Sequence, residues 1–381
     1  MGTKFLFDEK PYDISFDAKV LDCQKVEGGY KILLDQTLFF PEQGGQTSDF
    51  GTLGGAVISD VQISDGEIYH FSDQPLETGT TVRGLINWEH RFNNMQQHTG
   101  EHIFTGLAHN KFGAENVGFH LSDNTVTLDL DIELTNAQIE EIELAANQVI
   151  AKNQKVFCWY PSKEELTDID YRSKKEIDGA IRLVKIGNID ICACCAPHVA
   201  TTSEVGILKV VSFMKYKGGT RVYILCGLRA FLDYRQKQSI ITSTYQLLNC
   251  TLDEVPSKAS QLIEDNKLLK YQFANAQAAQ LMSLIETYPS QVEDITLFVD
   301  SMDSKVIREG VNSLVQQHTG LCAIFSGNDE VGYSFVIGST TRDCAAIMAG
   351  MRELLGAKGG GSKQMIQGNI VATKSEIERV F

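Results

Sequence analysis

The chain of 381 residues lacks the features that would place it at a membrane or outside the cell. It contains no run of about 18 apolar residues, so no membrane-spanning helix is expected. The segment from Met1 to Asp8 acquires a charge too early, and its apolar stretch is too short, for a secretory signal. Gly2 is not followed by the Ser or Thr at position six that N-myristoylation requires. We therefore expect a cytoplasmic protein without a membrane partner.

Positive charge is also scarce. Asp and Glu total 49 and Lys and Arg total 34, which gives a net charge of −15 and argues against a general affinity for nucleic acid. An RNA partner would have to bind at a local basic patch. The nine cysteines are an odd number scattered through a long chain, so they indicate reduced thiols that are available as metal ligands, rather than a disulfide framework.

The most informative segment is Gln97–His102, in which His98 and His102 are four residues apart. On a helix this spacing places two imidazoles on one face, one turn apart, which is how a helix offers two ligands to one metal ion. The alternative is that both are ordinary hydrogen-bonded residues of a helix. We predict this helix from about Glu89 to His109. The apolar residues of this helix indicate the face that packs against a core, and they are Phe92, Met95, Ile103 and Leu107. Both histidines continue the line of Phe92 and Met95, so we expect them to point inward.

A second segment offers the remaining ligands. Cys194 and His198 would supply a thiolate and an imidazole, and would complete a tetrahedral set of one cysteine and three histidines for Zn²⁺. Cys192 and Cys195 are further thiols that could replace Cys194 as the ligand. The alternation of side chains along a strand places Cys195 on the face opposite to Cys194.

A glycine-rich segment, Pro41–Gly51, is a candidate for contact with a substrate through Gly44, Gly45, Gln46 and Asp49. It is either a turn between strands, where glycine supplies positive φ, or a loop whose backbone approaches a ligand. It is not a phosphate-binding loop, because it lacks the lysine and the following helix of that motif.

A group of cations at one predicted hairpin is a second candidate surface, comprising Lys209, Lys215, Lys217 and Arg221. Such a group is ordinarily a solvated face. In an acidic protein that binds RNA, however, it is the first place to expect contact with the RNA.

The length and the pattern of predicted elements divide the chain into several domains. Short strands bounded by turns over residues 1–87 predict a small antiparallel β-barrel, and helices on an antiparallel sheet over 88–230 predict an α+β domain. Residues 231–289 are a predicted helical linker that is broken near Pro256. Residues 290–381 are a predicted C-terminal α/β domain, which contains a glycine loop at 358–362. The fold class is therefore α+β and multidomain.

Several motifs resemble the editing domain of alanyl-tRNA synthetase and the free-standing AlaX proteins. The family pattern is a His-x3-His helix, then Cys-Gly-Gly-Thr-His-Val and Thr-Gly-Glu-Ile-Gly; His98–His102, Cys194–Val199 and Thr202–Gly206 stand at these places. Pro41–Gly51 resembles the glycine-rich motif that ends the family's N-terminal barrel. Gly359–Gln367 resembles the end of the DHH-associated domain that closes alanyl-tRNA synthetases. Three such parts in this order are similar to a long-form AlaX protein.

The resemblance implies a substrate and a site. The implied reaction is hydrolysis of the ester that joins a wrong amino acid, serine or glycine, to tRNA for alanine. The implied Zn²⁺ ligands are those already named: His98, His102, Cys194 and His198. Two departures from the family pattern, Cys195-Ala196-Pro197 in place of Gly-Gly-Thr and Gln43 in place of a glycine, could alter selectivity for the amino acid.

Glu101 is the candidate catalytic base, because it lies about 60° around the helix from His98. The alternative is a surface glutamate. A rival function is an inverzincin-like metalloprotease, since His98-x-x-Glu101-His102 also fits that signature. A third is a non-catalytic RNA-binding or dimerisation protein with structural zinc. A homodimer through the linker and the C-terminal domain is suggested by the family and by a partial heptad seam of Leu262, Leu269, Phe273 and Ala276.

Overall fold

The chain folds into α-helices and predominantly antiparallel β-sheets, which confirms the predicted α+β class. The computed structural model describes residues 2–123, 125–173, 179–289 and 292–381. The chain divides into two compact units, Met1–Ile240 and Ile241–Phe381. The finer division into four domains stays a prediction.

The first unit begins with a six-stranded closed barrel. Its elements are β1 (Lys4–Phe5), α1 (Leu6–Glu9), β2 (Ser15–Val26), β3 (Gly29–Leu34), β4 (Gln36–Thr37), β5 (Gly51–Leu53), β6 (Ala56–Ser64), β7 (Glu67–Ser72) and β8 (Thr81–Ile86). The barrel closes in the order β2-β3-β7-β6-β5-β8, and every pair in it for which a register is defined is antiparallel. Alternate residues of its strands fill the interior, as in Ile32 and Leu34 of β3. This arrangement occupies the region for which the sequence predicts a small barrel.

Two further sheets follow in the same unit. The elements are α2 (Trp88–Phe112), β9 (Asn116–Leu121), β10 (Val126–Leu130), α3 (Asn136–Ala151), β11 (Val156–Trp159), α4 (Lys163–Asp168), β12 (Leu183–Ile186), β13 (Asp190–Ala193), β14 (Leu208–Tyr216), β15 (Gly219–Cys226) and α5 (Gly227–Leu247). One antiparallel sheet has the order β14-β15-β10-β9 and the other has the order β11-β12-β13. Helices α2 and α3 share one hydrophobic core with these sheets. The predicted histidine-bearing helix is thus found, and it is longer than predicted.

Helix α2 lies close to both sheets because two of its residues are glycines. A Cβ atom on Gly100 would lie 2.3 Å from Cys226 Sγ, and one on Gly106 would lie 2.9 Å from Asp190 Cβ. Glycine inside a helix is less favourable than alanine by about 1 kcal/mol. Here its small size lets β15 and β13 approach the helix, and the approach of β13 brings the segment that follows it next to the two histidines.

The second unit is built on a mixed five-stranded sheet. Its elements are α6 (Val255–Glu286), β16 (Ile295–Val299), α7 (Ser304–Gln317), β17 (Cys322–Asn328), β18 (Gly332–Gly338), α8 (Cys344–Leu355), β19 (Lys358–Gly361), β20 (Met365–Ile370) and α9 (Lys374–Glu378). The order is β16-β17-β18-β20-β19, with β16 and β17 parallel. Successive residues of β17 alternate between two hydrophobic cores, so that Ile324 packs in the core shared with α6 and α7, whereas Phe325 packs in the core shared with α8.

Two sequence-based expectations for the linker and the C-terminal region need correction. The glycine loop predicted at residues 358–362 is wrong, because Lys358–Gly361 is a strand. A Cβ on Gly359 would lie 2.2 Å from the Gln367 carbonyl oxygen, so the glycines permit close strand packing. The predicted break near Pro256 lies earlier in the chain, between Leu247 and Val255; Pro256 is in the first turn of α6, where a missing N–H does not matter.

Among the helices of the described residues, none combines the length and the apolar content that crossing a lipid bilayer requires.

A buried ion pair ties α2 to the barrel. Arg91 and Asp49 are both fully buried, and the Arg91 guanidinium donates to both carboxylate oxygens of Asp49. Arg91 also donates to the carbonyl oxygens of Leu38 and Pro11, at 2.5 and 3.2 Å, while Asp49 accepts the Phe40 N–H at 2.6 Å. These bonds satisfy both charges away from water, so the loss of one partner leaves the other uncompensated.

The substitution Arg91→Met should lower the free energy of unfolding of the first unit by about 3–5 kcal/mol, because it leaves a buried carboxylate unpaired. Urea unfolding followed by circular dichroism measures this change. The control is Lys111→Met, which removes an ion pair with Glu141 near the surface and should change the same quantity by less than about 1 kcal/mol. Equal effects of the two substitutions would show that the Arg91–Asp49 pair does not stabilise the unit.

His70 is enclosed in the barrel. Its Nε2 atom is 2.8 Å from the Thr37 hydroxyl, and its Nδ1 atom is 3.3 Å from the Ile32 carbonyl oxygen. Burial lowers the pKa of His70 to about 4, so the imidazole is neutral in the folded protein at neutral pH.

The barrel should therefore lose stability in mild acid. As the pH falls from about 6.5, the ordinary histidine pKa, towards 4, the unfolded chain binds a proton at His70 that the folded chain does not. The free energy of unfolding should fall by roughly 3 kcal/mol over this range. Urea titrations at several pH values test this, with His70→Gln expected to reduce the pH dependence and His120→Gln, an exposed control, expected to keep it. An unchanged slope in His70→Gln would refute this origin of the acid sensitivity.

Candidate metal centre

The four side chains that the sequence predicts as metal ligands meet in the first unit. His98, His102, Cys194 and His198 each offer one ligand atom, and these atoms all lie within 4.8 Å of one another. Cys194 Sγ is 3.5 Å from His98 Nε2 and 3.3 Å from His198 Nε2. Two ligands come from α2, and the other two come from the segment that follows β13. The predicted convergence of two distant segments is confirmed.

A different element or residue orients each of the three imidazoles through its Nδ1 atom. His98 Nδ1 is 2.9 Å from Gln46 Oε1, and His102 Nδ1 is 3.0 Å from Asp190 Oδ2. His198 Nδ1 is 3.0 Å from the Thr99 hydroxyl. The Gln46 and Asp190 oxygens can only accept, so they hold the proton on Nδ1 and leave the lone pair on Nε2 for a metal ion, and the Thr99 hydroxyl is able to accept from His198 in the same way. The donor set and its tautomers therefore fit a zinc ion, while other ions that take nitrogen and sulfur ligands share this chemistry.

Asp190 is the centre of a charged network behind His102. Its second carboxylate oxygen accepts from Arg172 Nε at 2.9 Å. Burial would raise the pKa of Asp190, but the bonds to His102 and Arg172 outweigh burial and lower it. Burial likewise would lower the pKa of His102, and the carboxylates of Glu101 and Asp190 reverse this and raise it.

The neighbouring cysteines differ from Cys194 in their surroundings. Burial raises the pKa of Cys192 to about 11 and that of Cys195 to about 12, so both are neutral thiols at physiological pH. Cys195 packs against the core of the barrel, and its Sγ would lie 3.5 Å from a Cβ on Gly44. Cys192 belongs to a second potential ligand group with His102 and Asp190. In the group that contains all three histidines, the thiol is that of Cys194.

Arg182, which the sequence analysis did not identify, holds the Cys194 segment in place. Its side chain is nearly buried and donates to the carbonyl oxygens of Cys194 and Ala196 at 3.0 and 2.9 Å. Its Nε atom lies 3.3 Å from Asp8 Oδ1. The pKa of Arg182 is raised, because the surrounding acidic groups outweigh the effect of burial. The charge of Arg182 thus remains in place and fixes the chain at the turn where Cys194 is presented.

Glu101 lies at the edge of the ligand cluster. The side chain is 1% exposed, which excludes the alternative of a surface glutamate. Its Oε1 atom accepts from Asn116 Nδ2 and from the Thr105 hydroxyl, and Arg172 donates to the same hydroxyl at 3.1 Å. Its Oε2 atom lies 3.8 Å from His102 Nε2. One carboxylate oxygen is therefore held by polar side chains, and the other faces the ligand atoms.

The glycine-rich segment forms a tight turn that docks on β9. Gln43 and Gln46 pair across Gly44 and Gly45, which have φ values of 65° and 83°. A Cβ on Gly45 would lie 2.3 Å from the Phe119 carbonyl oxygen, and Leu121 N donates to the Gly45 oxygen at 2.6 Å. The turn interpretation is thus correct, and the glycines also allow the close approach that places Gln46 against His98.

The side chain of Asp49 is not exposed, as the predicted contact with a substrate would require. It is fully buried in the ion pair with Arg91, so its role is to position the glycine-rich segment. This part of the prediction is corrected, because no signal in the sequence identified Arg91 as the partner.

The predicted basic group is compensated by acids on the same surface. Lys209 pairs with Glu143 at 2.6 Å, Lys215 pairs with Glu133 at 2.5 Å and Arg221 pairs with Asp129 at 2.6 Å. The Lys217 ammonium lies 5.1 Å from the centre of the Tyr216 ring. Lys209, Lys215 and Arg221 therefore provide much less positive field than the sequence suggests.

Two cavities of about 350 Å³ each have one lining residue that also contacts a histidine of the cluster. The first is lined by the glycine-rich turn, Gln62 and His120, and it includes Gln46, which contacts His98. The second lies beside Arg172 and Lys185 and includes Asp190, which contacts His102. One lining residue of each cavity thus contacts a histidine of the cluster.

Comparison with known proteins gives matches to tRNA-related proteins. Residues 181–223 match the family described as the threonyl and alanyl tRNA synthetase second additional domain. The alanyl-tRNA editing protein AlaX-L of Pyrococcus horikoshii is 28% identical over 98% of this chain and 96% of that protein. The alanyl-tRNA editing protein Aarsd1 of Rattus norvegicus is 26% identical over 97% of this chain and 94% of that protein. The alanine–tRNA ligase of Pyrococcus furiosus is 30% identical over 99% of this chain, which covers 43% of that longer protein.

These matches first define a class, namely proteins that carry the second additional domain of threonyl and alanyl tRNA synthetases. The nearly complete coverage of the two editing proteins then supports the resemblance seen in the sequence: the chain is similar to alanyl-tRNA editing proteins over almost its whole length.

The substitution Asp190→Asn should weaken metal binding by about 10- to 100-fold, because His102 loses the carboxylate that holds its Nδ1 proton. Competition with a chromophoric chelator measures the affinity for Zn²⁺. Asp170→Asn, an exposed carboxylate that lines the same cavity, is the matched control and should leave the affinity unchanged. Wild-type affinity in Asp190→Asn would mean that the carboxylate does not tune this site.

Proposed function

We propose that this protein is an aminoacyl-tRNA deacylase, which hydrolyses the ester of tRNA for alanine mischarged with serine or glycine at a zinc centre. The relatives that match along nearly their whole length are named alanyl-tRNA editing proteins. The observation that carries the proposal is the convergence of three oriented imidazoles and one cysteine on a single point.

The proposed ligands of the zinc ion are His98, His102, Cys194 and His198. When bound, the ion supplies a fixed positive charge that can hold and polarise the aminoacyl group. Asn116 and Thr105 hold one oxygen of Glu101, so its other oxygen keeps a fixed position beside His102 Nε2. That carboxylate is placed to accept a proton from a water molecule.

The hydrolysis balances as an acyl transfer to water. The water oxygen forms a bond to the ester carbonyl carbon while Glu101 takes the proton. The bond between that carbon and the ribose oxygen then breaks, and the proton passes from Glu101 to the ribose oxygen. The products are a free amino acid and an uncharged tRNA, and Glu101 is returned to its starting state.

The metalloprotease is the less well supported alternative. A protease of that class takes a glutamate as its third ligand and keeps an open position on the metal. Here Cys194 and His198 lie within 4.8 Å of the two helix imidazoles, so these side chains offer the third and fourth ligands. The non-catalytic alternative is compatible with a closed four-ligand site, but it leaves the buried Glu101 and its two hydrogen-bond donors without a purpose.

The proposed partners are tRNA for alanine and a second copy of the chain, and the proposed compartment is the cytoplasm. All four residues of the partial heptad seam on α6 are exposed, namely Leu262, Leu269, Phe273 and Ala276. They support a homodimer through the second unit, because exposed apolar residues at heptad spacing are suited to pairing with another helix.

The deacylation assay is the direct test. Wild-type protein should release serine or glycine from mischarged tRNA for alanine and leave the correctly charged tRNA intact. Glu101→Gln should lower kcat by about 10²- to 10⁴-fold, because it removes the base, with the zinc content unchanged. Glu89→Gln, an exposed position on the same helix, is the control and should behave as wild type.

Three results would redirect the proposal. An unchanged rate in Glu101→Gln would remove that carboxylate from the reaction. Peptide hydrolysis that survives substitution of both Cys194 and His198 would favour the protease. Bound zinc without any deacylation of the three charged tRNAs would favour a structural role for the metal.

A further inference from the structure

The segment that follows β13 carries two of the proposed metal ligands and, over the described residues 194–200, forms neither helix nor strand. We call these residues the metal loop. The loop contains Cys194 and His198, and a short 3₁₀ helix at Thr202–Val205 follows it. The helical hydrogen bonds of α2 fix the backbone of the other two ligands, whereas the metal loop depends on contacts from outside it. The origin of those contacts therefore decides whether the four ligand atoms stay together.

The first helix of the barrel unit fixes the start of the metal loop through Arg182. Arg182 donates to the carbonyl oxygens of Cys194 and Ala196 at 3.0 and 2.9 Å. Asp8 of α1 lies 3.3 Å from Arg182 Nε, and the Tyr160 hydroxyl donates to the other Asp8 oxygen at 2.7 Å. The side chains of Arg182 and Asp8 are 5% and 12% exposed, so water screens their attraction little. The carboxylate thus holds the guanidinium where it reaches both carbonyl oxygens.

Tyr12 fixes the end of the metal loop. Its hydroxyl oxygen accepts the Ala200 N–H at 2.6 Å, and its hydroxyl proton is donated to Glu204 Oε2 at 2.5 Å. The other oxygen of Glu204 accepts the Thr201 N–H at 3.0 Å, so one carboxylate joins Tyr12 to the turn after the loop. Ala200 lies two residues after His198. The tyrosine therefore restrains the backbone close to a metal ligand.

Both anchors belong to one short segment that is itself held in place. Asp8 and Tyr12 are four residues apart, and between them the Pro11 carbonyl oxygen accepts from Arg91 at 3.2 Å. The Tyr12 ring lies against Trp88 of α2, with the ring centroids 5.7 Å apart. The segment is thus joined to the helix that carries the other two ligands. Contacts at the two ends of the metal loop are referred to the same rigid element.

We propose that Asp8 and Tyr12 are positioning residues of the metal centre, which hold the metal loop at both ends at a fixed distance from α2. Asp8 acts through Arg182, and Tyr12 acts through the backbone of Ala200. The inference rests on the proposed function, since it takes the cluster to bind zinc. It goes further by assigning the placement of Cys194 and His198 to the N-terminal segment. Without these contacts, the two loop ligands move more freely relative to the helix imidazoles, so a tetrahedral ion is bound less tightly.

The test measures metal binding and needs no RNA. Tyr12→Phe removes one hydroxyl, and Asp8→Asn removes the charge that faces Arg182. Affinity for Zn²⁺ is measured by competition with a chromophoric chelator, and Co²⁺ is added to the metal-free protein as a probe of thiolate ligation and tetrahedral geometry. Tyr69→Phe, which removes a hydroxyl that donates to a glutamate on β7, and Asp13→Asn, an exposed carboxylate of the same segment, are the matched controls.

Asp8→Asn should weaken Zn²⁺ binding by about 10- to 100-fold, and Tyr12→Phe by about threefold to tenfold, because each releases one end of the metal loop. Both variants should also show a weaker absorption band from thiolate to Co²⁺ at saturating Co²⁺, since Cys194 is held less firmly. Tyr69→Phe and Asp13→Asn should match wild type in both measurements. Urea unfolding of the metal-free proteins is measured alongside, because a merely structural role would change that stability without changing the Co²⁺ spectrum.

Three results would overturn the inference. Wild-type Zn²⁺ affinity and a wild-type Co²⁺ spectrum in Tyr12→Phe mean that the loop is not positioned from this segment, and this variant decides alone if Asp8→Asn does not fold. Equal losses in Tyr69→Phe mean that the effect is not specific to the metal loop. A wild-type protein that binds neither ion refutes the metal centre as well.

Failure of the proposed function gives a different result. A protein whose metal affinity depends on Asp8 and Tyr12, but which leaves every mischarged tRNA intact, retains the positioning residues and loses the deacylase. A protein that deacylates and keeps its metal affinity in both variants retains the deacylase and loses the positioning residues.

Discussion

The orientation of three buried imidazoles is the constraint on which the rest of the site depends. His98, His102 and His198 each bind a partner through Nδ1, and the partners are a carboxamide, a carboxylate and a hydroxyl. A neutral imidazole has one proton, so an acceptor at Nδ1 decides that Nε2 carries the lone pair. The ligand atoms can therefore converge only while the elements that carry these partners stay packed against α2.

This requirement explains the way the barrel and the helix are joined. Gln46 belongs to the glycine-rich turn of the barrel, yet it orients a histidine on α2. The turn reaches α2 because Gly45 lets it lie against β9 and because the Arg91–Asp49 pair fixes its far end. Damage to the barrel interface would therefore reach the metal ligands through one carboxamide. The barrel is thus part of the site and not an attached module.

The sequence identifies the four members of the cluster because residue type and helical period suffice for them. Once the segment is helical, the four-residue spacing puts His98 and His102 on one face of the helix. Cys194 and His198 are recognisable as residue types that bind metal ions. The sequence analysis does not identify Asp190, although this residue lies two positions before Cys192 on β13. Asp190 and Cys192 are therefore on the same face of the strand, and Asp190 contacts His102 of α2. Thr99 gave no signal, since its contact with His198 depends on how the two segments pack.

Errors in the prediction share a physical origin in long-range pairing. The carboxylate of Asp49 and the cations of the basic hairpin are charged groups that a sequence presents as free, whereas the fold gives them partners far away in the chain. The glycines at residues 359–361 have the composition of a loop, yet they lie in a strand, where the neighbouring strand leaves no room for a side chain at Gly359 or Gly361. Local composition does not report the partner that decides the outcome.

The charge distribution limits how such a protein can hold RNA. Proteins that bind through phosphates gain affinity by releasing counterions, and that gain grows with the number of uncompensated cations. The net charge here is −15, and Lys209, Lys215 and Arg221 are each paired with an acid. On the proposed function, a larger share of the affinity must then come from the aminoacyl group and from contacts with parts of the RNA other than its phosphates. A surface that binds phosphates weakly also favours release of the RNA after hydrolysis. Once the ester is cut, the RNA is no longer joined to the aminoacyl group that the proposed metal centre holds.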